Sequence, residues 1–186
     1  MNILALDLAE SWVGWCKGPC GTTPPARSYR IKNKGEPTEA AIERLGRSLH
    51  NLLSAERFDL ICAEGLLPAG ASKGRFSRDG QVVLHAVVRT VALIHGVSYR
   101  APDMRTIRKH FCGRISAAPV RPRGYKRTPK EIEADREATK LMIIERARLL
   151  GYIAKDCEDD NAADAAAAWD FACAHWSQES KLALVG

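Results

Sequence analysis

A mixed β-sheet flanked by helices, of the α/β class, is the fold that the sequence predicts, and three observations predict it. Strand-like runs follow one another at 2–8, 12–18 and 27–32, separated by short turns. After residue 37, helix-period and strand-period segments alternate. No internal repeat or compositional break divides the chain, and 186 residues suit one well-cored domain better than two. A single domain over 1–186 is therefore expected.

Each element has its own signal. "NILALDL" (2–8) is an apolar run that closes on an acid, and "WVGWCKG" (12–18) can pair back on it after a tight turn. "RSYRIK" (27–32) alternates and supplies a third antiparallel strand. Over 38–56, Ile42, Leu45, Leu49, Leu52 and Leu53 recur with helical period, and Thr38 is the expected N-cap. "FDLICAEG" (58–65) reads as a buried strand that again ends in an acid. The segment 80–96 is helical but apolar around most of its surface. A fifth strand at 97–102 and a short helix at 103–111 follow. The Pro-, Arg- and Gly-rich stretch 112–130 reads as a loop. A long helix over 131–150, stopped near Gly151, and a last helix in "CEDDNAADAAAAWDFA" (157–172) complete the order.

Composition narrows the function classes. The chain is 46% hydrophobic and 27% charged, as an ordinary globular protein is. No apolar run reaches the ~20 residues that span a bilayer. "MNILALDLAE" lacks a basic leader and holds an acid within its apolar run, so it reads as a strand rather than a signal peptide. Six cysteines without a C-x-x-C pair suggest reduced thiols and a cytoplasmic setting. The net charge of +6 suits a polyanionic partner.

Against that basic background, acids stand at informative places. Asp7 ends the first strand, Glu64 ends the fourth, and Asp159, Asp160 and Asp164 crowd the start of the last helix. If the two strands are neighbours and the helix packs over their ends, the carboxylates converge. Converging carboxylates raise one another's pKa unless a cation neutralises them. Hard, oxygen-seeking Mg²⁺ suits such a site. Two ions about 4 Å apart can activate a water and stabilise the leaving oxygen of a phosphodiester. Asp159 and Asp160 are also explained as favourable charges at a helix N-terminus. Asp164 is not, because it lies a turn inside a run of alanines, on the face of Asp160.

The order "ILALDLAESWVGW", "LICAEG", "DDNAADAAAAWDFA" resembles the RuvC-type Holliday junction resolvases of the ribonuclease H-like superfamily. "PDMRTIRKHFCGR" (102–114) is similar to the phage and proteobacterial branch. The resemblance implies a ribonuclease H-like mixed five-stranded sheet and a homodimer that binds four-way DNA junctions. It also implies symmetric nicking that uses Mg²⁺ or Mn²⁺, with two ions per site. It assigns Asp7 and Glu64 as the first two acids and Asp164 as the last. For the third ligand, Asp160 is the nearest carboxylate, while Asn161 holds the position that many members fill with an acid or histidine. Lys140 matches a basic residue expected near the scissile phosphate; as a plain helix lysine it would be solvated. Leu67 and Phe76 are alternative candidates for the aromatic wedge that some members carry after the second acid.

No acid falls between Asp103 and Glu131, an interval that holds Arg105, Arg108, Lys109 and Arg114 and then Arg121, Arg123, Lys126, Arg127 and Lys130. Unbroken positive charge beside a carboxylate site suits a phosphate backbone. Lys73, Arg75 and Arg78 form a second basic tract after Glu64, and Tyr125 offers a weak stacking signal. The apolar helix at 80–96 is either sandwiched in the core or paired with its copy across a two-fold axis; the resemblance implies the second, with Val83, Val87, Val91 and Ile94 as the expected dimer contacts. Two rival readings remain: a related nuclease acting on forks, flaps or hybrids, and a junction-binding protein without catalysis. Actin-like ATPases and sugar kinases also open with a strand, an acid and a turn. "DLAESWVG" lacks their glycine-rich phosphate turn.

Overall fold

The computed structural model describes residues 1–66, 75–122 and 124–177, with side chains throughout except at 75–78. The strands are β1 (Asn2–Leu8), β2 (Trp12–Pro19), β3 (Ala26–Arg30), β4 (Leu60–Ala63) and β5 (Ser98–Arg100). The helices are α1 (Thr38–Ala55), α2 (Arg75–Ile94), α3 (Met104–Cys112), α4 (Pro129–Leu149) and α5 (Asp160–Trp176). One mixed sheet in the order β3-β2-β1-β4-β5 holds all five strands. The first three pair antiparallel, and β4 and β5 run parallel to β1.

Alternation along β1 assigns the two faces. Leu4, Leu6 and Leu8 pack with Leu45, Leu49 and Leu53 of α1 and with Leu84, Val88 and Ala92 of α2. Ile3 and Ala5 point the other way, into a core shared with α3, α4 and α5. On that face α5 is almost solid alanine: Ala162, Ala163 and Ala165–Ala168 are all fully buried. Small side chains let this helix backbone lie directly on the sheet. A Cβ on Gly14 would stand 1.9 Å from the carbonyl oxygen of Asn161, so only glycine fits beneath the helix mouth.

Among the boundaries that differ from the sequence reading, three have a local reason. Pro37, in extended backbone, takes the cap position of α1 and Thr38 is the first helical residue; no side chain caps that end. Helix α2 begins at Arg75 rather than 80, because its first turn, Arg75–Asp79, carries no apolar stripe to announce it. Helix α4 begins at Pro129. Thr128 accepts from the Glu131 backbone, and Glu131 accepts from the Thr128 backbone, with proline in the first turn. All six cysteines are free thiols, and burial pushes those of Cys16 and Cys62 up to about 12. Among the described residues no helix is long and apolar enough to cross a membrane.

Candidate active site

The carboxylates that the sequence singled out gather at one end of the sheet, on the α5 face. Asp7 follows Ile3 and Ala5 on that face of β1 and pairs across to Gly14. Glu64 is the first residue beyond β4, and its backbone N–H donates to Leu6 at 3.0 Å, which sets it beside Asp7. The Gly65 N–H donates to Pro102 at 2.8 Å, and a Cβ there would lie 2.6 Å from the same oxygen. This close approach ties the Glu64 turn to the chain after β5. Asp160 and Asp164 stand one turn apart on α5.

These groups share one electrostatic environment. Asp7 is pushed well above its ordinary pKa by burial and then by the charges of Glu64, Asp164 and Asp160, with Arg108 opposing. Glu64 is pushed up to about 8 by burial and by Asp164, with Arg108 opposing and Asp103 adding. Asp164 is pushed up to about 6 by burial, against the pull of Arg108. No hydrogen bond from a described residue reaches the carboxylate of Asp7 or Glu64.

Two cations of the chain answer part of this charge. The Arg108 Nη2 lies 3.4 Å from Asp164 Oδ2, and its buried Nε has no hydrogen-bond partner among the described residues. The Lys140 Nζ lies 3.0 Å from Asp160 Oδ2, and this contact raises the lysine's pKa. Beside Asp160, Lys140, Leu141, Ile144, Arg148 and Glu158 line an open groove of about 430 Å³.

The donor chemistry fits a divalent cation: oxygen ligands, mutual repulsion, and two carboxylates, Asp7 and Glu64, without a hydrogen bond from a described residue. The side chains are not already closed around one. Among the described residues no group of three or more His, Cys, Asp or Glu side chains is spaced to hold a metal ion. Asp159 has a different task. It caps α5 by accepting from the Ala162 N–H at 3.1 Å, and Ser28 Oγ of β3 donates to its other oxygen. Asn161 places its backbone carbonyl over Gly14 and donates its side-chain amide to Asp160 at 3.5 Å. Of the two candidates for the third ligand position, Asp160 is therefore the one with a charge in the cluster.

The expected DNA-contacting residues divide into two groups. Arg105, Lys109, Arg114, Lys126 and Lys130 are exposed. Arg121 instead donates to both oxygens of buried Asp135 on α4, at 2.7 and 3.1 Å, and Arg127 reaches the same carboxylate at 3.3 Å. Ser116 Oγ lies 3.1 Å from the Thr139 hydroxyl, which also accepts from the Ala117 N–H at 3.2 Å. The loop between α3 and α4 is thus docked on α4 by two of its own arginines. Tyr125 is exposed and donates to Glu131 at 2.7 Å. Lys73, Arg123 and Leu67 lie outside the described residues, as do the side chains of Arg75, Phe76 and Arg78.

Arg108 is the site residue whose place the sequence did not reveal. It reads as one cation in a basic run, and only the packing of α3 against α5 turns it towards Asp164. Its one sequence signal is its position next to Ile107, on the edge of the buried stripe of α3.

No protein-family model matches the chain, and no curated protein sequence matches it. Solved structures do. A Thermus thermophilus RuvC structure superposes with a TM-score of 0.60 at 16% identity, covering 95% of this chain and 98% of that one. The chain has a RuvC-type resolvase fold. T. thermophilus RuvC in complex with Holliday junction substrate gives a TM-score of 0.67 at 13% identity, covering 97% of this chain and 96% of that one. The yeast mitochondrial Holliday junction resolvase Ydc2 gives 0.54 at 10% identity, covering 97% and 83%. The mixed five-stranded sheet of ribonuclease H-like type that the resemblance implied is present.

On α2, Val83 and Ile94 are exposed, together with Val82 and Leu93. Val87 and Val91 are half-buried against the α1 face of the sheet. The expected dimer contacts therefore comprise two exposed residues and two at the edge of the core.

Proposed function

We propose that this protein is a metal-dependent endodeoxyribonuclease that resolves four-way DNA junctions as a homodimer, acting in the cytoplasm through a single nuclease domain. The observation that carries the reading is the gathering of Asp7, Glu64, Asp160 and Asp164 at one end of a RuvC-type sheet, where burial and the charges of Glu64, Asp164 and Asp160 hold Asp7 well above its ordinary pKa. Asp7, Glu64, Asp160 and Asp164 would hold Mg²⁺ or Mn²⁺, two ions when fully loaded, and Asn161 offers a further oxygen. Bound there, such ions supply an activated water and charge stabilisation at the leaving oxygen.

The chain's own groups do the rest. Arg108 and Lys140 reach the carboxylates from two helices, α3 and α4, and can transfer their hydrogen bonds to a phosphate. The buried Nε of Arg108 is a donor left over for that purpose. Exposed Arg105, Lys109, Arg114, Lys126 and Lys130 supply sequence-independent attraction to the backbone. The exposed stripe Val82, Val83, Leu93 and Ile94 supplies an apolar face for a second copy. Two copies related by a two-fold axis present two such sites, as a two-fold junction requires.

The test is to incubate the protein with labelled four-way junction, plain duplex and forked DNA, with Mg²⁺ and with EDTA. Paired nicks in the junction, with Mg²⁺ only, are expected. Equal cutting of all three would replace the resolvase with a less selective nuclease. Tight junction binding without cutting in any metal would make the protein a binding module.

A further inference from the structure

Trp12 opens β2 and is 37% exposed, whereas the other strand aromatics, Trp15, Tyr29 and Tyr99, are half-buried. The guanidinium of Arg30, at the end of β3, covers one face of its ring at 4.8 Å. The guanidinium makes no hydrogen bond or ion pair with a described residue, so its donor edge is free. The sheet register shows where the pair points. Trp12 pairs with Arg30, Gly14 with Ser28 and Cys16 with Ala26. Cys16 and Ala26 lie in the core beneath α5, whereas Val13 faces α1. By alternation, Trp12 and Arg30 project from the α5 face, in the row immediately beyond Gly14 and Ser28.

That neighbouring row is the floor of the site. Gly14 pairs with Asp7 and lies beneath Asn161, and Ser28 bonds Asp159. Two residues along a strand advance about 7 Å. The Trp12–Arg30 pair is therefore about that far past the Asp7 row, at the rim of the acid cluster and on the sheet-edge side. Arg108 and Lys140, on α3 and α4, approach the cluster from the helices.

Resting on the nuclease reading above, we infer that Trp12 and Arg30 form a platform for the nucleotide next to the cleaved phosphate. The base stacks on the Trp12–Arg30 surface, and the guanidinium edge bonds that nucleotide's phosphate. An indole face stacks on any base, so the platform tolerates sequence and selects a strand whose bases can leave the helix stack. Four-way junctions supply such bases at the crossover and plain duplex does not. The pair thus contributes to choosing the structure that is cut.

The experiment uses the full chain with Asp164→Asn, so that DNA stays intact, and junctions carrying 2-aminopurine at each nucleotide flanking the crossover. With Trp12 present, one of these positions is quenched on binding. Trp12→Phe keeps the quench and an affinity within about twofold, because phenylalanine also stacks. Trp12→Leu and Trp12→Ala lose the quench and weaken junction binding roughly tenfold, with plain duplex binding little changed. Arg30→Ala lowers the salt dependence of junction binding by about one phosphate contact. An unchanged quench and affinity in Trp12→Leu, with the protein folded by circular dichroism, would overturn the platform and leave the pair as a surface cover for β2. Failure of the wild type to cut any DNA would instead overturn the nuclease reading and leave these binding measurements standing.

Discussion

On the α1 face of the sheet, Leu45, Leu49 and Leu53 fill the gap to Leu4, Leu6 and Ile61 with bulky, adaptable side chains. They leave a cleft of about 170 Å³ beside Trp15 and Tyr29. On the α5 face, Ala162–Ala163 and Ala165–Ala168 bring a helix backbone onto Gly14 with no spare volume. Large side chains tolerate small shifts by changing rotamer; backbone against backbone does not. The difference teaches where positional accuracy is needed. The helix that carries Asp160 and Asp164 meets the strands beside Asp7 through backbone contact that cannot adjust, whereas α1 meets the sheet through side chains that can.

The largest expected effect on this contrast is Asp164→Asn. Cleavage of a labelled junction should fall by more than the ~100-fold typical of a lost outer-shell partner, while junction binding persists. Loss of both would make Asp164 a structural residue. Next is Gly14→Ala, which drives a methyl group into the Asn161 carbonyl and should cost about 3 kcal/mol by chemical denaturation. On the opposite face, Leu49→Met should cost less than about 1.5 kcal/mol and leave the cutting rate of folded molecules unchanged. Equal costs for the two would dissolve the contrast between the faces.

A smaller effect concerns pH. Glu64 and Asp164 are raised from ordinary values of 4.5 and 3.8 to about 8 and about 6. Between the ordinary and the raised values the folded protein holds more protons than the unfolded chain, so stability falls as pH rises through that window. The metal-free protein should melt several degrees higher at pH 5 than at pH 8. Added Mn²⁺ at pH 8 should recover that difference, and Asp164→Asn should flatten the profile; calorimetry in EDTA and in Mn²⁺ checks all three. The smallest expected effect on the fold itself is Ile94→Asp. At 69% exposure Ile94 supports little of the core, so melting should hardly move while sedimentation shifts from dimer to monomer. A wild-type monomer would remove α2 from the dimer proposal.

The contrast also shows which signals a sequence carries. The α1 stripe is legible because leucines at helical spacing stand out against polar neighbours. The acids at the ends of β1 and β4 are legible because an acid closing an apolar run is locally anomalous. Thr128, Pro129 and Glu131 form a start signal as clear as any in the chain, yet the adjoining basic run masks it when the segment is judged by charge alone. The basic run between Asp103 and Glu131 suggests uniform DNA contacts. Asp135, one helical turn beyond it, claims Arg121 and Arg127 for the protein itself.

By itself the sequence determined the order of strands and helices and the mixed sheet, and it marked Asp7, Glu64 and Asp164 as acids out of place, because periodicity and misplaced charge are properties of neighbouring residues. Only the tertiary structure decided what surrounds those acids. It assigned Asp159 to Ser28 and the helix cap, and it set Arg108 on Asp164. It also required glycine beneath Asn161 and stacked Arg30 on Trp12 beside the site. The contacts of Ser28, Arg108 and Gly14 join residues far apart in the chain and form when α5 settles on the sheet, and the Arg30–Trp12 stack follows from the β2–β3 register; no local pattern encodes them.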